Sequence, residues 1–85
     1  MLRAFSIFVG GLRFAVTEGE IRALFENHGV VNDVRIIVDA VTGTSRGFGF
    51  VQMAREEDAQ RAISALDGWE LQGRPLRVSV ARVQP

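Results

Sequence analysis

The chain contains no cysteine and only one histidine. Disulfides, thiolate metal sites and thiol chemistry are therefore excluded, and a zinc or iron centre, which draws on several Cys or His ligands, is not expected. Lysine is absent as well. All ten basic residues are arginine, and ten carboxylates balance them to a formal net charge of zero, which argues against holding a polyanion by bulk electrostatics alone. Long hydrophobic runs are missing. Apolar stretches last a few residues and the first strand is expected to begin near Ser6, leaving no room for a signal peptide or membrane span, so the cytoplasm is the default location. There is no low-complexity segment and no internal repeat beyond a similarity of the two halves.

What remains suffices for one small domain. The 85 residues are 47% hydrophobic and 24% charged, with no room for a second unit. A chain of this size buries roughly 60 to 65% of its unfolded surface, so modest stability is expected.

Along the chain, two kinds of periodicity alternate. Ile7 to Leu12 reads as a strand with Ile7 and Val9 on one face and Phe8 on the other. Thr17 and Glu20 stand at the spacing of a capping box, and Ile21, Leu24 and Phe25 continue at helical spacing through Asn27, with Gly29 as the stop. Val30 to Asp39 reads as a second strand, with Val34, Ile36 and Val38 on one side and Arg35 and Ile37 on the other. A turn over Asp39 to Ser45 leads into a third strand ending at Met53. A second helix is expected over Glu56 to Leu66, with Ala59, Ala62, Ile63 and Leu66 in one stripe and Asp67-Gly68 ending it. Its start lacks a good cap, because Ala54 and Arg55 stand where Ser, Thr or Asp would help. The acidic run Glu56-Glu57-Asp58 complements the helix dipole there. Finally, Leu76, Val78 and Val80 alternate with Arg77, Ser79 and Ala81. The order strand, helix, strand, strand, helix, strand is that of an α+β, ferredoxin-like sandwich, a four-stranded antiparallel sheet with two helices packed on one face.

Two helices cover only one side of such a sheet. Alternation puts Val51 and Met53 on the covered side and Arg46, Phe48, Phe50 and Gln52 on the open one, so Phe8, Phe48 and Phe50 all point away from the core. Clustered solvent-facing aromatics beside arginine favour a flat, anionic ligand. Charge follows the same division. The helical segments hold three arginines against six carboxylates, and the strands and loops hold seven against four, giving an acidic back and a basic front. Arginine in place of lysine is accounted for by genomic base composition as readily as by function, but guanidinium planes stack on bases and fork onto phosphates better than ammonium groups do.

Residues Arg46-Gly47-Phe48-Gly49-Phe50-Val51-Gln52 match the first seven positions of the octamer basic, Gly, aromatic, Gly or Ala, Phe, Val, any, aromatic. Chance gives such a match on the order of 10⁻⁷ per start position. In this octamer and in the hexamer Ile7 to Leu12, the chain resembles the RNA recognition motif family from about Ser6 to Arg82. Two positions depart from the pattern. Gly11 stands where many members carry Asn, and Met53 replaces the final aromatic on the side that faces the core. The resemblance implies single-stranded RNA as the partner. Phe8 and Phe48 would stack on successive bases, Phe50 would pack between their riboses, and Arg46 would meet a backbone phosphate. Single-stranded DNA is a further partner, since stacking does not need the 2′-hydroxyl. Arg35, Gln52, Arg77 and Ser79 share the open face, and Arg82 follows where the chain leaves the sheet. Gly10 and Gly11 permit a tight exit from the first strand, and Arg13 lies within reach of a phosphate. In size the chain looks most like the stand-alone bacterial or cyanobacterial members, and a monomer is the default. No cofactor or metal is implied.

Two other readings compete. An RRM-type fold used for protein recognition usually lacks the sheet aromatics that are kept here. An acylphosphatase-like enzyme on the same architecture needs an arginine and an asparagine at an anion cradle, and the only asparagines are Asn27 and Asn32. His28 at a helix end reads as structural, and Trp69 is expected to shield the edge of the core under the second helix, with a partner surface as the alternative.

Overall fold

A computed structural model describes residues 5–81. Its elements are β1 (Phe5–Gly10), α1 (Glu18–Glu26), β2 (Val31–Val38), β3 (Ser45–Met53), α2 (Glu56–Leu66), β4 (Glu70–Leu71), β5 (Arg74–Pro75) and β6 (Arg77–Val80). The main sheet has the order β2-β3-β1-β6, with every neighbouring pair antiparallel. This is the expected ferredoxin-like arrangement, with one addition. Between α2 and β6 the chain forms a small hairpin, β4 against β5. Its two-residue loop, Gln72-Gly73, has positive φ at both positions (53° and 81°), the signature of a type I′ turn.

The core lies between the sheet and the helices. Ile7, Val9, Val34, Val51, Met53 and Val78 point inward from the sheet and meet Ile21 and Phe25 of α1 and Ala59, Ala62 and Leu66 of α2. Met53 is fully buried, which places the last octamer position in the core as its alternation requires. Phe25 is the largest wholly buried side chain, and its burial contributes about 1.5 to 3 kcal/mol. The strands approach closely where β3 carries Gly49: a Cβ there would overlap the Arg35 carbonyl of β2.

The capping box forms as its spacing predicts. The Thr17 hydroxyl accepts from the Glu20 amide at 3.2 Å, and Glu20 Oε1 accepts from the Thr17 amide at 3.0 Å. Gln72 in the hairpin turn donates to the Glu20 carboxylate at 3.1 and 3.2 Å, so the same residue caps α1 and anchors the added hairpin. Helix α2 has no side-chain cap at Arg55. Its first-turn Asp58 is buried, takes an ion pair from Arg61, and lies so close to Gly29 that a side chain at that glycine would overlap it.

Both edge strands have an outward amide occupied by a carboxylate. Glu18 accepts from the Ile36 amide of β2, and Asp67 accepts from the Val78 amide of β6, each at 3.0 Å. Unpaired edge amides recruit other strands, and these two carboxylates each remove one such amide at the margins of the sheet.

Alternation and size did not settle the exposure of three apolar side chains. Val38 is 51% exposed and Val80 65% exposed, although both have core-side alternation. Alternation assigns a side, not cover. Val38 lies beyond a register shift at the end of β2, and Val80 ends an edge strand. Trp69 is 45% exposed and lies outside the core cluster. Its backbone ties the hairpin to α2, with its amide donating to Leu66 and its carbonyl accepting from the Leu76 amide, while Leu71 packs against the core.

Glu20 is held below the usual carboxylate range first by the Thr17 amide and then by the Gln72 side chain. A lowered folded-state pKa makes this contribution fully present above the ordinary glutamate value of about 4.3 and lost as pH falls through the lower folded value. The melting temperature of the wild type is thus expected to exceed that of Glu20→Gln at pH 6, with the gap closing progressively below about pH 4. A gap constant from pH 6 to pH 3 would contradict the cap's charge dependence.

Candidate nucleic-acid interface

The side of the sheet opposite the helices carries the three aromatic rings, and strand register brings them together. Phe8 of β1 stands opposite Phe50 of β3, and Gly10 stands opposite Phe48. Phe8 and Phe48 lie 5.9 Å apart between centroids with planes 27° from parallel. Phe50 meets both edge-on, at 6.1 Å from each. Rings in such contact hold one another in place, so the face presents fixed flat surfaces. All three are half-buried.

Gly10 contributes to this geometry in a way its sequence context did not suggest. It lies within β1, and a Cβ on it would come within 2.8 Å of the Phe8 ring. The missing side chain lets Phe8 lie down over its own strand towards Phe48. The tight exit expected of this pair belongs to Gly11, whose φ is +74° and where a side chain would collide with the Pro75 carbonyl.

The polar residues fall in two rows across the strands. One row runs Arg35, Phe50, Phe8, Ser79 over β2, β3, β1 and β6, and the next holds Asp33, Gln52 and Ser6. Arg77 stands opposite Gly10, which lies between it and Phe48 in the same row. The structure therefore brings Phe8, Phe48, Phe50, Arg35, Gln52, Arg77 and Ser79 onto one surface. Arg35 and Arg77 are exposed and make no ion pair among the described residues.

Arg46 is placed differently. Simple alternation breaks at Gly47, which has a φ of +85° and lies where the β2–β3 register shifts. The Arg46 guanidinium stands 3.5 Å from the Asp39 carboxylate. Asp39 in turn accepts from the amides of Val41 and Thr42. Those amides, Thr42 first, hold its carboxyl below the ordinary range, and Arg46 adds a smaller effect. Arg46 thus lies near the start of β3 as half of a partly exposed ion pair at the loop end of the face. Arg82, the remaining residue expected at this surface, lies outside the described residues.

Asp33 and Ser6 also belong to the face and were overlooked in the sequence. Their signal was available, since Asp33 shares the alternation of Arg35, and Ser6 that of Phe8.

Residues 7–77 match the family model described as RNA recognition motif. The chain is 51% identical over 78 residues to the chloroplast RNA-binding protein CP31B of Arabidopsis thaliana, covering 92% of this chain and 27% of that protein. It is 47% identical over 77 residues to the protein RbpB of Nostoc sp., covering 91% of this chain and 75% of that one. It therefore spans about a quarter of the length of the first relative and three quarters of the second. Among solved structures, a Sxl-lethal protein–RNA complex superposes with a TM-score of 0.90 at 37% identity, over 98% of this chain and 50% of that one. The matched model covers both strand motifs and everything between them, and the chain belongs to the RNA recognition motif family.

Proposed function

We propose that the open face of the sheet binds single-stranded RNA, about two to four nucleotides across its width. The observation that carries this reading is the three-ring cluster on the uncovered side, at the centre of the sheet and flanked by exposed arginines that make no ion pair among the described residues. The occurrence of this fold in a protein–RNA complex supports it, as do relatives named as RNA-binding proteins. In this reading successive bases stack on Phe8 and Phe48, and Phe50 packs against the sugars. Arg35 and Arg77 reach phosphates or base edges from either side, and Gln52 and Ser79 hydrogen-bond bases. Arg46 exchanges Asp39 for a phosphate, a small cost because exposed ion pairs are weak and salt-screened. Single-stranded DNA binds by the same stacking, with only the 2′-hydroxyl contacts missing.

The rings supply stacking that tolerates many sequences, and the arginines supply attraction that depends on salt. Stacking on one aromatic is worth about 1 to 3 kcal/mol per base. Ordering a flexible strand and immobilising side chains offset much of that gain, so affinity for a short RNA is expected to be roughly micromolar.

Phe48→Ala, which removes a half-buried surface ring and no core contact, is expected to weaken RNA binding by about 1 to 3 kcal/mol in a fluorescence-anisotropy titration. Unchanged affinity in a folded variant would refute the stacking role. With Arg35, Arg46 and Arg77 each displacing a counterion, the slope of log affinity on log salt is expected to be about −2 for a single strand. A slope of zero would contradict the charged half of the reading.

A further inference from the structure

Beside Phe50, towards the β2 edge, the open face sinks into a depression lined by Ser6, Asp33, Arg35, Phe50 and Gln52. Its floor is set by register: Asp33 stands opposite Gln52 and Gln52 opposite Ser6, while Arg35 stands opposite Phe50. Asp33 and Arg35 are two residues apart on β2, so their side chains leave the same face about 7 Å apart. Neither is engaged in an ion pair among the described residues.

A carboxylate is out of place on a surface that receives a polyanion. It repels phosphate, and being ionised it can only accept hydrogen bonds. The donors in an RNA strand that can repay it are the 2′-hydroxyls, which every nucleotide carries and which select no base, and base edges carrying N–H groups. The four bases differ sharply in this respect. Guanine presents two adjacent donors, N1–H and the N2 amino group, next to the O6 acceptor. Adenine and cytosine each present one amino group beside a ring-nitrogen acceptor. Uracil presents a single N–H between two carbonyls. Only the guanine edge meets both oxygens of a carboxylate while offering an acceptor to a neighbouring donor, and Arg35 and Gln52 both stand beside Asp33 with N–H groups to give.

We infer that this depression is a guanine subsite, in which Asp33 accepts from N1–H and the N2 amino group while Arg35 or Gln52 donates to O6 and Phe50 bounds the base. The inference rests on the open face binding RNA and adds base selectivity to it. Stacking on the rings is tolerant of sequence, whereas the carboxylate rewards one base and penalises uracil.

The two effects of Asp33 have opposite signs, which makes the test specific. Binding of short labelled RNAs is measured by anisotropy, comparing a uridine-only strand with strands carrying a single guanine or a single adenine at each position in turn. The wild type is expected to bind the best guanine strand roughly 5- to 150-fold more tightly than its adenine or uridine counterparts, the range for a good two-bond base contact. Asp33→Ala is expected to lose that preference and to bind the uridine-only strand more tightly than the wild type does, because a repulsive charge is gone. Asp33→Asn, which keeps the shape, is expected to behave likewise. A wild type that does not favour guanine, or a guanine preference that survives in Asp33→Ala, would overturn the subsite. Retained dependence of RNA affinity on Phe48 would then show that the binding face itself stands. Failure of the wild type to bind any of the strands would overturn both.

Discussion

The pairing of β1 with β3 at the centre of the sheet is the constraint on which the rest depends. It sets Phe8 opposite Phe50 and Gly10 opposite Phe48, and in the same register sets Ile7 opposite Val51 on the other side. A slip of one residue would exchange the two faces, burying phenylalanines against the helices and exposing the valines and isoleucine of the core. Core packing therefore enforces the geometry of the open face. Ile7, Val9, Val51 and Met53 pin the register from below, and the ring cluster appears above as a consequence. Helix α1 follows β1 through the loop that Gly11 and Gly47 make possible, with the Leu12 amide donating to the Gly47 carbonyl at 2.9 Å.

The open face places apolar rings where water reaches them, and the surrounding structure limits the consequences. Mutual contact among the three rings reduces the area each exposes. Carboxylates occupy an outward amide on each edge strand, so the sheet offers a binding surface on its face with a reduced tendency to extend at its margins. The acidic residues of the two helices lie on the opposite side from Arg35 and Arg77, which gives a chain of zero net charge a directional field. Asp33 stands on the same face as these arginines, and the guanine preference inferred above follows from its charge.

Most of this architecture was legible in the sequence because it follows local rules. Alternation identified Phe8, Phe48 and Phe50 as one face, the Thr17–Glu20 spacing located the start of α1, and Asp67-Gly68 marked the end of α2. What escaped depends on features without a local signature. Gln72-Gly73 lacks the Asn or Asp that usually announces a type I′ turn, and strands of two residues show no periodicity, so the β4–β5 hairpin was invisible. The ion pair of Arg46 had no local signature either, because its partner Asp39 is supplied from across the turn. The register shift between Val31 and Asp33 brings Val31 into the core out of phase with Val34 and Ile36. Trp69 read as a core shield because tryptophan is large and apolar; only the three-dimensional structure shows Leu71 in that role.

On the proposed reading, single-stranded RNA is received by the uncovered face of the sheet. The most direct measurement is an NMR titration of backbone amides with a mixed-sequence single-stranded RNA pool. Shifts are expected to concentrate in β1, β3, the neighbouring residues of β2 and β6, and the Asp39–Ser45 loop, with the amides of α1 and α2 unmoved. Shifts confined to the helices, or none at RNA concentrations well above micromolar, would contradict this reading.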